Sequence, residues 1–159
     1  MECAVIGAVA TRQYMPERAT RDLDLIVAAK DLNDVGERLL AAGYKPAGTL
    51  AIGGSSWLSP DAHEIDVLAG HEEWWPTAIH DAQANRDAQG LPILSLPYLV
   101  LMKLRASRAQ DLADISRMLG QAGESQLRET REVVGRYAPK DLPDLQSLVE
   151  LGRLELSEQ

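Results

Sequence analysis

Phenylalanine is absent from the 159-residue chain, and aromatic residues make up only 4% of it. Leu, Val, Ile, Trp and Tyr must therefore fill the core. Cysteine occurs once, at Cys3. No intramolecular disulfide can form, and the expected setting is a reducing, cytoplasmic compartment. No apolar run approaches the ~20 residues needed to span a bilayer, so no membrane role is expected. The opening "MECAVIGAVA" lacks the basic region of a signal peptide and reads as a strand leading into a helix. Basic residues are the minority, 16 against 24 acidic, for a formal net charge of −8. That balance argues against broad electrostatic binding of nucleic acid, while a local basic cleft stays open. His63, His71 and His80 lack zinc-ligand spacing, and Cys3 stands alone, which argues against a zinc site. There is no internal repeat and no low-complexity tract.

What is present is the composition of an ordinary globular domain, 45% hydrophobic and 25% charged, at a length suited to one core. "ECAVIG" reads as a buried strand ending at Gly7, followed by a short helix that Pro16 closes. "RDLDLIVA" alternates, with Leu23, Leu25 and Val27 on one face and Asp22, Asp24 and Ile26 on the other. "KDLNDVGERLLAAGY" is amphipathic, with Leu32, Val35, Leu39 and Leu40 at helical spacing and Gly43 as a C-terminal stop. "KPAGTLAI", "SSWLS" and "HEIDVL" read as three strands of an antiparallel meander, with "GGS" and "SPDA" as turns. "LPILSL" reads as a final short strand, and the chain is helical from Pro97 onward. The expected class is α+β, with strands early and helices late. A boundary is expected near residue 96, dividing an α/β core (1–96) from a C-terminal helical segment (97–159) within a single compact domain.

The carboxylates inside "RATRDLDLIV" need an explanation. Asp is a poor strand former and costly to bury uncompensated. Two residues apart on a strand, Asp22 and Asp24 project together. "HEIDVL" offers a third carboxylate, Asp66, among Ile65, Val67 and Leu68. If those strands are neighbours, the oxygens converge in a set that suits Mg²⁺, a hard cation that accepts carboxylates, water and substrate phosphates. The bland alternative is pairing with Arg18, Arg21 or Lys103, or the capping of turns.

A glycine turn after the first strand, then R-x-T, then D-L-D-L in the second strand, resembles the nucleotidyltransferase superfamily. The likeness is to its small bacterial members: minimal nucleotidyltransferases, AbiEii-type toxins and relatives of the aminoglycoside nucleotidyltransferases, all of the DNA polymerase beta-like fold. The elements come in order as Gly7-Ala8, then Arg18 to Leu25, then Asp66 in "EIDVL", then Lys103 in "LVLMKLRA", then Asp111 and Asp114 in "QDLADISRML". They span roughly residues 4 to 119. The resemblance implies a mixed sheet flanked by helices, with a C-terminal helical segment. It implies Mg²⁺-dependent transfer of a nucleotidyl group from a nucleoside triphosphate such as ATP to a hydroxyl on RNA, protein or a small molecule, and admits a toxin–antitoxin context. Asp22, Asp24 and Asp66 would then be the metal and catalytic residues, with Asp66 helping to deprotonate the acceptor. Gly7, Ala8, Arg18, Thr20 and Lys103 would bind the nucleotide. Ala8 departs from the usual Gly or Ser and offers no side-chain donor. It points to an alternative, a catalytically inactive module that binds nucleotide or a partner.

The remaining candidates have structural readings. Lys103, among Leu101, Met102 and Leu104, either snorkels from a core helix or meets phosphate. Asp111 reads as bracing a helix, and Glu64 as a lower-ranked ligand beside Asp66. "IGGSSW" is a hairpin turn rather than a phosphate loop. Trp74 and Trp75 read as core anchors more than as base-stacking groups.

Overall fold

The computed structural model describes residues 1–158. It divides into two compact units, Met1–Ala10 with Glu17–Leu94, and Thr11–Pro16 with Ser95–Gln159.

The first unit holds a five-stranded sheet in the order β1-β2-β5-β4-β3. Its strands are β1 (Cys3–Ile6), β2 (Leu23–Ala28), β3 (Lys45–Thr49), β4 (Gly54–Leu58) and β5 (Glu64–Gly70). β2 and β5 run parallel; the other pairs are antiparallel, which makes the sheet mixed. The meander expected of the middle strands forms as β3-β4-β5. β2 starts later than its sequence pattern implies, at Leu23. The Asp22 amide donates to the Thr20 hydroxyl, and that hydroxyl donates to the Asp22 carbonyl, both at 3.4 Å. This local turn competes with the ladder for Asp22's backbone. "LPILSL" likewise falls short of a strand. It supplies one parallel bridge, Val5 to Ile93, with the Val5 amide donating to the Pro92 carbonyl (2.7 Å) and the Leu94 amide to the Val5 carbonyl (3.0 Å). Those bonds cover the outer edge of β1.

Helix α1 (Gly7–Thr11) follows β1 directly, and α2 (Leu32–Ala41) follows β2. The apolar stripe of α2 lies over Val27, Trp57 and Val67, the odd-numbered face of the sheet, through Leu32, Val35 and Leu39. Helix α3 (Trp75–Ala82) packs on β1 and β2. Trp74 and Trp75 are buried, with tilted rings 5.2 Å apart, and the Trp75 indole donates to the Val27 carbonyl at 2.9 Å. They serve the core, and Gly70 is required beneath them because a Cβ there would come within 2.5 Å of the Trp75 ring.

The second unit comprises α4 (Leu96–Ala106), α5 (Ala109–Gln121), α6 (Glu124–Tyr137) and α7 (Leu142–Ser157). With no Phe available, its core uses Leu, Ile, Val and Met, including Met15, Val100, Ile115, Met118 and Val149. Helices α5 and α7 meet backbone to backbone. A Cβ at Gly152 would stand 2.0 Å from the Ser116 carbonyl oxygen.

Candidate active site

The register of the sheet builds the site. Ile6 pairs with Asp24, Asp24 with Asp66, and Asp66 with Ser56. One row thus crosses β1, β2, β5 and β4 on the even-numbered face, opposite the α2-covered face. On the same face, two residues further along, Ile26 and Leu68 pair and are buried at the strand centres, whereas Asp24 and Asp66 are half-buried. The apolar residues anchor the two strands and leave the carboxylates at their ends.

Asp24 and Asp66 are direct neighbours on parallel strands, and such strands lie about 4.8 Å apart. Gly7 closes one side. It has a left-handed φ of 65°, and a Cβ built on it would lie 1.9 Å from Asp24 Oδ2. Glycine is needed here twice over, for the backbone turn from β1 into α1 and for the space that Asp24 fills. Ser56 closes the other side, its hydroxyl donating to Asp66 Oδ1. From sequence, Ser56 belongs to the strand run "SSWLS" and to the "IGGSSW" turn, with no site role. Its signal is the cross-strand partner, which no local pattern carries.

Of the residues named from sequence, the structure brings Asp24, Asp66 and Gly7 together. Asp22 is exposed and precedes the strand, in the Thr20 turn. Thr20 is exposed and Arg18 half-buried in the same connection. Ala8 is buried in the first turn of α1. Glu64 is exposed at the start of β5, opposite Leu58. Among the described residues, no three His, Cys, Asp or Glu side chains gather as a self-sufficient metal cluster. Two adjacent carboxylates are nevertheless a fitting donor set for Mg²⁺. That ion keeps waters and is commonly held by one or two carboxylates together with substrate phosphates.

Lys103 and the D-x-x-D pair lie in the helical unit and meet each other. Lys103 Nζ donates to Asp111 Oδ1 at 3.1 Å and to Asp114 Oδ2 at 2.8 Å. Arg108 Nε donates to Asp111 Oδ2 at 2.6 Å, and Gln110 Nε2 to Asp114 Oδ1 at 2.8 Å. All three of Lys103, Asp111 and Asp114 are buried. Burial pushes the Asp111 carboxyl up, but the hydrogen bonds and charges of Arg108 and Lys103 outweigh it and hold it below the ordinary carboxylate value. Asp111 thus braces α5 against α4. The thiol of Cys3, on β1, is raised by burial, partly offset by the positive charges of Arg86 and the N-terminus.

The sheet order defines a class of fold. The chain is an α+β structure with a mixed sheet and a nucleotidyltransferase-like fold. It is similar to the solution structure of the antibiotic-resistance factor ANT(2'')-Ia, with a TM-score of 0.54 and 12% identity over 99% of this chain and 86% of that one. It is similar as well to the crystal structure of ANT(2'')-Ia with adenylyl-2''-tobramycin, with a TM-score of 0.52 and 12% identity over 94% and 87%. The lincomycin-bound lincosamide adenylyltransferase LnuA aligns over 82% of this chain and 84% of that one, at a TM-score of 0.46 and 12% identity. No protein-family model matches the chain, and no curated protein matches it by sequence.

Proposed function

We propose that the chain is a nucleotidyltransferase that moves a nucleotidyl group from a nucleoside triphosphate to an acceptor hydroxyl. The observation that carries this reading is the register pair Asp24 and Asp66, with Gly7 shaped around Asp24 Oδ2. Asp24 and Asp66 would hold Mg²⁺, with Asp22 at the mouth of the same strand. The ion would supply charge compensation for the triphosphate and for the departing pyrophosphate. The residues' own work is positional. Asp66 takes the proton of the acceptor hydroxyl, Gly7 lets the backbone approach the phosphates, and Arg18 and Thr20 shape the loop that enters β2. The Lys103 ammonium serves the helical unit through Asp111 and Asp114, and its expected phosphate role is not needed for this reading.

ATP is the first nucleotide to test, because the ANT(2'')-Ia structure contains an adenylylated antibiotic. The same structure makes a small-molecule hydroxyl the first acceptor class, ahead of RNA or protein. The toxin–antitoxin setting and the cytoplasmic location rest on the sequence reading alone. Among the described residues, no helix is long and apolar enough to cross a membrane.

Ala8 favours a second reading, a nucleotide- or partner-binding module without turnover, because a buried Ala gives the triphosphate no side-chain donor. One experiment separates the two. The protein is incubated with MgATP and panels of aminoglycosides, RNAs and proteins, and pyrophosphate is measured. Release dependent on both Mg²⁺ and acceptor supports the enzyme. Mg²⁺-dependent nucleotide binding without any release supports the module, and the absence of both defeats the nucleotide reading altogether.

A further inference from the structure

We propose that Ser56 is a positioning residue of this site, fixing the Asp66 carboxylate so that Oδ2 is the oxygen presented to a cation. The inference rests on the nucleotidyltransferase reading and adds to it a residue outside the motif that suggested that reading.

Three observations carry it. Ser56 is one of the few buried polar side chains of the sheet unit, and its hydroxyl donates to Asp66 Oδ1. A buried hydroxyl demands a partner, and a charged acceptor gives the stronger bond. The backbone is arranged to put it there. Gly53 and Gly54 lead into β4 with φ of 94° and 123°. A Cβ on Gly54 would stand 2.1 Å from the Val67 carbonyl oxygen. These two glycines set the approach of β4 to β5, and that approach pairs Ser56 with Asp66. A slip of one residue would bring Ser55 or Trp57 to the carboxylate face instead. Ser55, one position away, has a different task. On the opposite face, its Oγ accepts from the Trp57 indole N–H at 2.7 Å.

With Oδ1 held by Ser56, the Asp66 carboxyl cannot rotate freely about its χ2 axis, and its second oxygen is aimed. A partner of this kind fixes the orientation of a ligating group, and its loss commonly lowers metal affinity or activity by 10–100-fold. Ser55 supplies the internal control, since it has the same chemistry on the same strand without the carboxylate.

The test is Mg²⁺-dependent binding of a non-hydrolysable ATP analogue, followed by titration calorimetry, with pyrophosphate release as a second readout. Ser56→Ala should raise the Mg²⁺ concentration needed for half-maximal binding about tenfold. Ser56→Thr, which restores the hydroxyl, should return it to within about threefold of the wild type. Ser55→Ala should leave the Mg²⁺ requirement unchanged while lowering the melting midpoint. Should Ser56→Ala fail to fold, Ser56→Cys keeps the size with a weaker donor and should show the same direction of change. A folded Ser56→Ala protein with wild-type Mg²⁺ dependence overturns the proposal, as does an equal loss in Ser55→Ala. Wild-type protein without any Mg²⁺-dependent nucleotide binding removes the underlying reading instead, and this inference with it.

Discussion

Two carboxylate pairs of this protein look alike in sequence and differ in surroundings. Asp111 and Asp114, in the helical unit, share the Lys103 ammonium, and Arg108 and Gln110 complete their hydrogen bonds. Their negative charge is balanced by Lys103 and Arg108. Asp24 and Asp66, in the sheet unit, are pressed side by side by parallel strands, and Asp66 receives a neutral hydroxyl from Ser56. The first arrangement is a closed structural brace. The second sets two carboxylates side by side toward the ends of neighbouring strands, the pair that we propose holds Mg²⁺. Acidic spacing alone does not separate the two; the elements that bring each pair together do, two packed helices for one and two parallel strands for the other.

The largest effect should come from breaking the closed pair. Lys103→Met leaves two buried carboxylates without their shared cation, and removal of one partner from such a network costs about 3–5 kcal/mol. Urea denaturation should show that loss. If the unfolding free energy barely changes, the brace is not structural. The sheet pair should respond in activity instead. Asp24→Asn should lower pyrophosphate release about 100- to 1000-fold, a change of roughly 3–4 kcal/mol in the barrier, with stability kept within ~1 kcal/mol. An Asp24→Asn protein that turns over normally would remove Asp24 from the chemistry.

Glycines sharpen the same contrast. Gly7 and Gly43 both have positive φ, 65° and 86°. A Cβ at Gly7 collides with Asp24, whereas at Gly43 the nearest contact is Pro60 at 3.6 Å. Both alanine variants should lose about 1–2 kcal/mol from backbone strain. Only Gly7→Ala should also weaken Mg²⁺-dependent nucleotide binding, and equal binding by the two variants would detach Gly7 from the site.

The smallest effect concerns acid. The folded-state pKa of Asp111 lies below its unfolded value, because Arg108 and Lys103 outweigh burial. Its contribution is therefore present above the unfolded carboxylate pKa, about 3.9. It is lost as pH falls from there through the depressed folded value. Stability of the wild type should drop more steeply in that window than stability of Asp111→Asn. Parallel curves for the two proteins would assign the acid sensitivity elsewhere.

Much of this arrangement is legible in the sequence. The alternation of Leu23, Leu25 and Val27 against Asp24 and Ile26 marks β2 and its two faces. The helical spacing of Leu32, Val35 and Leu39 marks the stripe that covers the odd face. Asp24, Asp66 and Gly7 were all nameable from motif order. Local patterns were weaker at boundaries. Asp22 continues the alternation, yet the Thr20 turn takes its backbone out of the ladder. "LPILSL" is apolar like a strand but yields only isolated bridges, at Pro92 and at Ile93, where it covers an edge.

By itself, the sequence determined the class of fold, the faces of its strands and helices, and the residue types available for chemistry, because side-chain periodicity and turn chemistry are properties of neighbouring residues. Partnership was decided only by the tertiary structure. The parallel register of β2 on β5 set Asp24 beside Asp66, and the antiparallel register of β4 brought in Ser56. The packing of α4 on α5 gave Lys103 to Asp111 and Asp114. The physical reason is that a carboxylate's role depends on which charges and donors lie within a few ångströms, and residues far apart in the chain supply them.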